Sequence, residues 1–321
     1  MNAKKVIIDC DPGIDDALAL MLALRSPELE ILGITVVSGN VPAKKGASNA
    51  QKVLHWMNRP DIPVYLGEEL PLVRPYVDAM DTHGEDGLGE SHYPEITDGT
   101  INTDGVGFLA RTLHEAAQKE EPVSIIALGP LTNLARLVQN DPESLAGLGE
   151  LISMGGSCQS HGNCSPVAEY NYWCDPHAAE IVYRAFEELP VLQDKQIHMV
   201  GLDVTLKAAL NREDEQEIRS FGNKGAVLAA DILDYMIRRY ADGGEDALMH
   251  DALAVAAAVC PQCLVCHDYF VDVECQGEYT AGHTMVDRRG RTGKKPNVSV
   301  AMELDLPVFK QWLKDCLRQC G

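Results

Sequence analysis

The chain has 321 residues, 45% of them hydrophobic, and a formal charge of −21 from 48 Asp and Glu against 27 Lys and Arg. That size allows one large α/β domain or two ordinary ones, and that charge excludes nucleic acid and anionic membranes as partners, because both would repel it. Ten cysteines sit in a chain too large to need disulfide staples, no signal-peptide core follows Met1, and no apolar run is long enough to cross a bilayer, so the expectation is a cytoplasmic protein with reduced thiols.

In chain order, short apolar runs alternate with stretches of helical period, the pattern of βαβ units. Val6–Ile8 predicts a first strand, Asp16–Arg25 a helix, Leu29–Ser38 a segment containing the second strand, Ala43–Met57 a helix and Val64–Leu66 a short strand. Residues 68–99 lack periodicity, a loop of that length predicts a functional or disordered segment, and the part after Glu68 is a candidate lid. Helix Val106–Gln118, strands Val123–Leu128 and Leu151–Met154, helix Pro176–Phe186 and strand Ile197–Leu202 follow. The second half predicts helices over Arg212–Ser220, Lys224–Tyr240 and Leu248–Val259, strands over Val271–Gln276 and Val298–Leu304, and a closing helix over Pro307–Cys320. Residues 224–245 are a second candidate lid. No linker or repeat interrupts the series, so residues 1–321 are expected to form a single α/β domain. Its sheet should be Rossmann-like and mostly parallel, flanked by helices, with the active site at the carboxyl ends of the strands.

The first strand ends in Asp9-Cys10-Asp11-Pro12-Gly13-Ile14-Asp15-Asp16, and a distant His250-Asp251 pair offers a fifth carboxylate. Carboxylates this crowded need a cation, a shared proton or water, and a hard divalent ion with a preference for oxygen is the simplest answer. Asp15 or Asp16 alone could be a helix N-cap, but capping uses one carboxylate, not a cluster. Asp9 and Asp11 share a face if the backbone is extended, and so do Glu169 and Asn171. Asn40 closes the second strand, and the Leu128 carbonyl could reach the same crevice from a central strand.

These residues resemble, in order, the motifs of the calcium-dependent ribonucleoside hydrolases, the inosine–uridine preferring nucleoside hydrolase family. The likeness runs through Asp9 to Ala17, Val37-Ser38-Gly39-Asn40, His83-Gly84-Glu85-Asp86-Gly87, Leu128-Gly129-Pro130-Leu131-Thr132-Asn133, Met154-Gly155-Gly156, Gly162 to Asn171 and Met249-His250-Asp251. The Gly162–Asn171 stretch and Gln276 to Thr280 look closest to the broad-specificity bacterial branch. The resemblance implies that Asp11, Asp16, Asp251 and the Leu128 carbonyl hold Ca²⁺. It implies that Asp15, Asn40, Asn171 and Asp251 grip the ribose 2′- and 3′-hydroxyls. By the same likeness Met154, Asn163 and Glu169 surround the 5′-hydroxyl, His83 and His250 lie near the base, and the protein is a homodimer or homotetramer. His177 departs from the family's usual Asp-Pro-Glu and is expected to be an exposed helix residue.

Breaking an N-glycosidic bond builds positive charge on the ribose while the base leaves with negative charge. Ca²⁺ can hold water and the cis-diol together, Asp11 can take the water's proton, and a histidine can protonate the base. His250 is the expected acid, with His83 as second choice, and the substrate is a ribonucleoside of either base class. No organic cofactor is required.

Two alternatives remain at this level. Asp9-Cys10-Asp11 also fits the opening of a haloacid-dehalogenase-type Mg²⁺ phosphatase, though Pro12-Gly13 and the Asp pair after it do not. A non-catalytic nucleoside- or calcium-binding homologue would keep the same residues. Cys260, Cys263, Cys266 and His267 have zinc-like spacing but read better as buried thiols, and the basic run from Arg288 to Lys295 reads as a solvated hairpin tip. Tyr235, Arg238, Arg239 and Tyr240 lie on the helix leading to His250, and some of them are expected to face the base.

Overall fold

In a computed structural model, which describes residues 3–97, 99–240 and 246–320, the chain forms one α/β domain about a nine-stranded sheet. The strands are β1 (Lys4–Cys10), β2 (Leu29–Val36), β3 (Val64–Leu66), β4 (Ile101–Asn102), β5 (Val123–Ala127), β6 (Leu148–Met154) and β7 (Ile197–Val200). A small antiparallel ladder of β8 (Ala209–Leu210) and β9 (Ala247–Leu248) stands apart from it. Then come β10 (Leu264–Tyr269), a second small ladder of β11 (Val271–Val273) with β12 (Thr284–Val286), and β13 (Val298–Leu304). Across the sheet the order is β10-β13-β7-β6-β5-β1-β2-β3-β4, parallel except where β10 runs against β13.

The period of two in β1 sorts its side chains. Val6, Ile8 and Cys10 enter one apolar layer, with the helices Ile14–Arg25, Ala43–Trp56 and His250–Val259, while Ile7 enters the other, with Gly105–Lys119 and Pro176–Glu188. The helix Ile14–Arg25 is apolar nearly all round because it is buried nearly all round, packing on the sheet and on His250–Val259. That contact brings the first turns of two helices together, and each carries an aspartate, Asp16 or Asp251.

Most predicted elements are present with ends shifted by a residue or two. Three expectations are corrected. Ile197–Leu202 stops as a strand at Val200, because Leu202–Thr205 turns helical. The predicted Leu248–Val259 helix begins at His250, Leu248 being in β9. Val271–Gln276 ends at Val273 and pairs only with β12, off the main sheet. The edge strand β10 gave no sequence signal, since its exposed Val265 to Asp268 shows no alternation. It carries Cys266, so of the zinc-like trio Cys260 and Cys263 are buried but Cys266 is exposed; all ten cysteines are free. The basic run folds around Asp287, which accepts hydrogen bonds from the backbone N–H groups of Arg289, Arg291 and Thr292, an exposed turn as expected. His177 is half-buried rather than exposed, with its Nδ1 unpaired. Among the described residues no helix is long and apolar enough to cross a membrane.

Candidate active site

Strand order reverses between β1 and β5, the place where an open α/β sheet leaves a crevice at its carboxyl edge. A cavity of about 420 Å³ opens there, within the range of small-molecule sites. Asp15, Asn40, Leu128, Asn171 and Asp251 line it, as do Met154, Asn163, Glu169, His83 and His250. Residues from seven separated stretches of sequence thus meet on one surface.

Asn40 joins that lining to two fully buried carboxylates. Its backbone N–H donates to Asp11 Oδ2 at 2.7 Å and its side-chain Nδ2 to Asp16 Oδ2 at 3.0 Å. Asp16 also accepts from the backbone N–H groups of Gly13 (2.9 Å) and Asp11 (3.2 Å), so it fastens the start of its own helix as well. The backbone presses on Asp11 from two sides: a Cβ on Gly39 would lie 2.0 Å from its Oδ2, and one on Gly129 would lie 2.5 Å from its Oδ1. Only glycine permits either approach.

Asp15, Asp16 and Asp251 each bring a carboxylate oxygen to within 4.8 Å of the others, the one such group of His, Cys, Asp or Glu among the described residues. Oδ1 of Asp11 and Oδ1 of Asp15 are buried without a hydrogen-bond partner. Burial, followed by the charge of Asp16, pushes Asp15 up to about 7 and holds Asp11 well above the carboxylate range. Burial and then Asp15 do the same to Asp251. Unpartnered oxygens and mutually repelling carboxylates are what a hard cation resolves, so this all-oxygen set fits a divalent ion. The Leu128 carbonyl accepts Asn171 Nδ2 at 2.7 Å and keeps a second lone pair for such an ion.

Asp9 belongs elsewhere. Its Oδ1 accepts from Thr35 Oγ1 at 2.5 Å and Asn133 Nδ2 at 2.7 Å, and Asn133 Oδ1 in turn accepts the backbone N–H of Glu68. Those two bonds make it a buried brace between strands and loop, although its Oδ2, like Oδ1 of Asp11, is buried without a partner. Glu169 caps the short helix Tyr170–Cys174, taking the N–H groups of Asn171, Gly156 and Tyr172 at 2.9–3.2 Å. Burial nevertheless pushes it up to about 7. Asn163 Oδ1 accepts the Tyr170 N–H at 2.9 Å.

Burial lowers both cavity histidines, His83 to about 3 and His250 to about 4. Nδ1 of His83 lies 3.1 Å from the backbone N of Ile14 and so accepts its proton. Nδ1 of His250 lies 2.9 Å from Thr205 Oγ1, a partner that could equally donate or accept. Sequence reasoning missed Thr205, whose only signal was its position just past the end of β7. Of the helix Lys224–Tyr240, Met236 lines the cavity, Tyr235 packs against Gly89, Arg238 turns out to Asp234, and Arg239 reaches Asp81 and Thr82. The side chain of Tyr240, and residues 241–245 of the second candidate lid, lie outside the described residues. The segment from residue 68 is a fastened strap, tied by Leu72 N–H to Asp175, Tyr76 Oη to the Gly39 carbonyl and Ala79 N–H to the Asn40 carbonyl.

Comparison with known proteins gives the family and the fold. The family model described as inosine-uridine preferring nucleoside hydrolase matches residues 6–311. A pyrimidine-specific ribonucleoside hydrolase, RihA of Escherichia coli O17:K52:H18, is 40% identical over 319 residues, 98% of this chain and 99% of its own. Among solved structures, a purine-preferring ribonucleoside hydrolase from Gardnerella vaginalis superposes with a TM-score of 0.89 at 29% identity, covering 99% of each chain. A plant nucleoside hydrolase, PpNRh1, gives 0.88 at 31% identity over 98% of this chain and 99% of that one. The phosphatase reading falls with these matches. On a family model spanning nearly the whole chain and a relative 40% identical from end to end, this chain belongs to the inosine–uridine preferring nucleoside hydrolase family, whose members hydrolyse the N-glycosidic bond of ribonucleosides.

Proposed function

We propose that the protein releases ribose from both purine and pyrimidine ribonucleosides, with Ca²⁺ as its metal and Asp11 as its general base. Asp11, Asp16, Asp251 and the Leu128 carbonyl would hold the ion. The observation that carries this reading is the orphaned Oδ1 of Asp11, a buried oxygen with no partner beside a cluster of like charge. When bound, the cation acidifies water and gives the ribose diol a fixed point.

The remaining chemistry belongs to the chain. Asp11 accepts the proton of the attacking water. Asp15, Asn40, Asn171 and Asp251 supply acceptors and donors for the 2′- and 3′-hydroxyls, and the surrounding carboxylates favour the cationic ring of the transition state. Met154, Asn163 and Glu169 enclose the 5′-hydroxyl. The two histidines divide the base between them. Protonating Nδ1 of His83 would set a donor against the Ile14 N–H, so His83 serves as a neutral donor through Nε2. The Thr205 hydroxyl can turn to accept from Nδ1 of His250, so that ring can hold a second proton, and the negative charge building on the departing base would raise it from its buried value of about 4 to supply one.

Ten free thiols suit a cytoplasmic setting, and the family likeness supports a homodimer or homotetramer. The test is ribose release from inosine, adenosine, uridine and cytidine, with and without a chelator. Release from both base classes, lost on chelation and restored by Ca²⁺ in preference to Mg²⁺, is the expected result. Release that persists after complete metal removal would overturn the cation's place in the mechanism.

A further inference from the structure

His83 closes a helix of only four residues, Met80–His83, too short to hold itself together by its own hydrogen bonds. Its end carbonyls must find partners outside it. The Ala79 carbonyl takes the His83 N–H, and the Met80 carbonyl takes the Gly84 N–H. The Asp81 carbonyl has no such continuation, because the Glu85 N–H is given to Glu90 Oε1. Its partner comes from another helix: Arg239 Nη1 donates to the Asp81 carbonyl, and Nη2 donates to Thr82 Oγ1 at 3.0 Å. Tyr235, one turn earlier on the same helix, packs against Gly89 with so little room that a Cβ there would lie 3.0 Å from the ring. Arg239 itself is exposed. The guanidinium is a planar fork that reaches two acceptors at once, which a single ammonium does less well.

We propose that Arg239 is a positioning residue for base departure: by fastening the Asp81–Thr82 turn it holds the His83 ring so that Nε2–H meets the leaving base. Ile14 fixes one side of that ring and Arg239 fixes the turn that carries it. The inference rests on the role given to His83 above. It makes the helix Lys224–Tyr240 a part of leaving-group chemistry even where it does not touch the substrate.

The test compares natural nucleosides with 4-nitrophenyl β-D-ribofuranoside, whose leaving group departs as a stable anion and needs no donor. In the full-length protein, Arg239→Met should lower kcat for uridine and inosine about tenfold or more while leaving kcat for the nitrophenyl riboside within about twofold. Arg239→Lys should recover part of the loss, and Arg239→Met should add little to His83→Ala, because the two act on one step. A parallel fall on all substrates, no fall on any, or full additivity with His83→Ala would overturn the proposal. A wild-type protein that cleaves the nitrophenyl riboside and whose His83→Ala variant cleaves uridine normally would instead overturn the role of His83, and with it the premise. Thermal melting of each variant separates a lost tether from a lost fold.

Discussion

The backbone N–H of Ile14 points at Nδ1 of His83 from 3.1 Å, across 69 residues of sequence. Ile14 opens the helix that also carries Asp15 and Asp16, so the histidine proposed to meet the base is keyed to the element that supplies the carboxylates. The contact is close on every side: a Cβ on Gly13 would lie 2.2 Å from that same nitrogen.

Gly13→Ala should therefore displace the ring. A misplacement near an ångström costs on the order of a hundredfold in rate, and the loss should fall on kcat for uridine and inosine. Gly129→Ala should act on Asp11 in the same way, but on every substrate. Steady-state kinetics on a nucleoside and on the nitrophenyl riboside tell the two apart; identical substrate profiles would mean that neither glycine acts through its neighbour.

Asp9 and Asp11, two residues apart, should give opposite phenotypes. Asp11→Asn removes the proposed base from a site of like charge, so activity should fall by at least about a thousandfold with stability unchanged or raised. Asp9→Ala strands the Thr35 hydroxyl and the Asn133 amide, each worth about 1–3 kcal/mol when buried without a partner. Denaturant melts and kcat measured on both variants check the pair. Equal destabilisation by both would contradict this division.

The 2′-hydroxyl is expected to matter through the same accounting. A 2′-deoxynucleoside leaves Asp15 or its neighbours without a partner, again about 1–3 kcal/mol for each buried group. Turnover of 2′-deoxyuridine comparable to uridine would sink the diol grip. A 5′-phosphate should also be rejected, since Asp78 and Asp81 line the cavity and Glu169 offers an anion no donor.

Stability should report the cation. Without metal, the folded chain keeps Asp15 protonated up to about 7, above the unfolded value of about 4. That raised value means stability present at acid pH and lost as pH rises through about 7. Bound Ca²⁺ takes over from the protons, so its effect on the melting temperature should be larger at pH 8 than at pH 5. A calcium shift that shrinks with rising pH would contradict the shared site.

His83 works in the other direction. Its folded value of about 3 lies below the free value of about 6.5, so its contribution is present above pH 6.5 and lost as pH falls toward 3. At pH 5 that loss is about 2 kcal/mol relative to pH 7. His83→Gln should remove that much of the acid sensitivity in urea unfolding; an unchanged slope would mean the ring is not held neutral.

The strand-end residues were legible in the sequence because an apolar run names its own end. Asp11, Asn40, Leu128 and Met154 follow runs whose β character is plain, and chain topology then brings those ends together. The division between Asp9 and Asp11 was not legible, because a period of two places both on one face and only Thr35 and Asn133 decide which network each joins. Residues 68–83 carry no periodicity, so neither the strap nor the Arg239 tether could be read; each depends on two or three hydrogen bonds between distant segments. The edge strand β10 escaped for a related reason: a strand with one covered side and exposed side chains has no apolar code.

Asp11, Asn40, Leu128 and Met154, proposed for the cation and the sugar, stand at the ends of β1, β2, β5 and β6, in the middle of the sheet, where any shift would disturb both apolar layers. Of the groups proposed for the base side, His250 opens a helix packed in the core, but His83 hangs from a four-residue helix tied to the far end of a long one, elements the sheet does not constrain. A scaffold divided in this way can change which base it prefers by substitutions at its periphery while its bond-breaking centre stays frozen. Laboratory evolution of base preference should therefore accumulate changes around residues 80–90 and 235–239 and leave the first sixteen residues untouched.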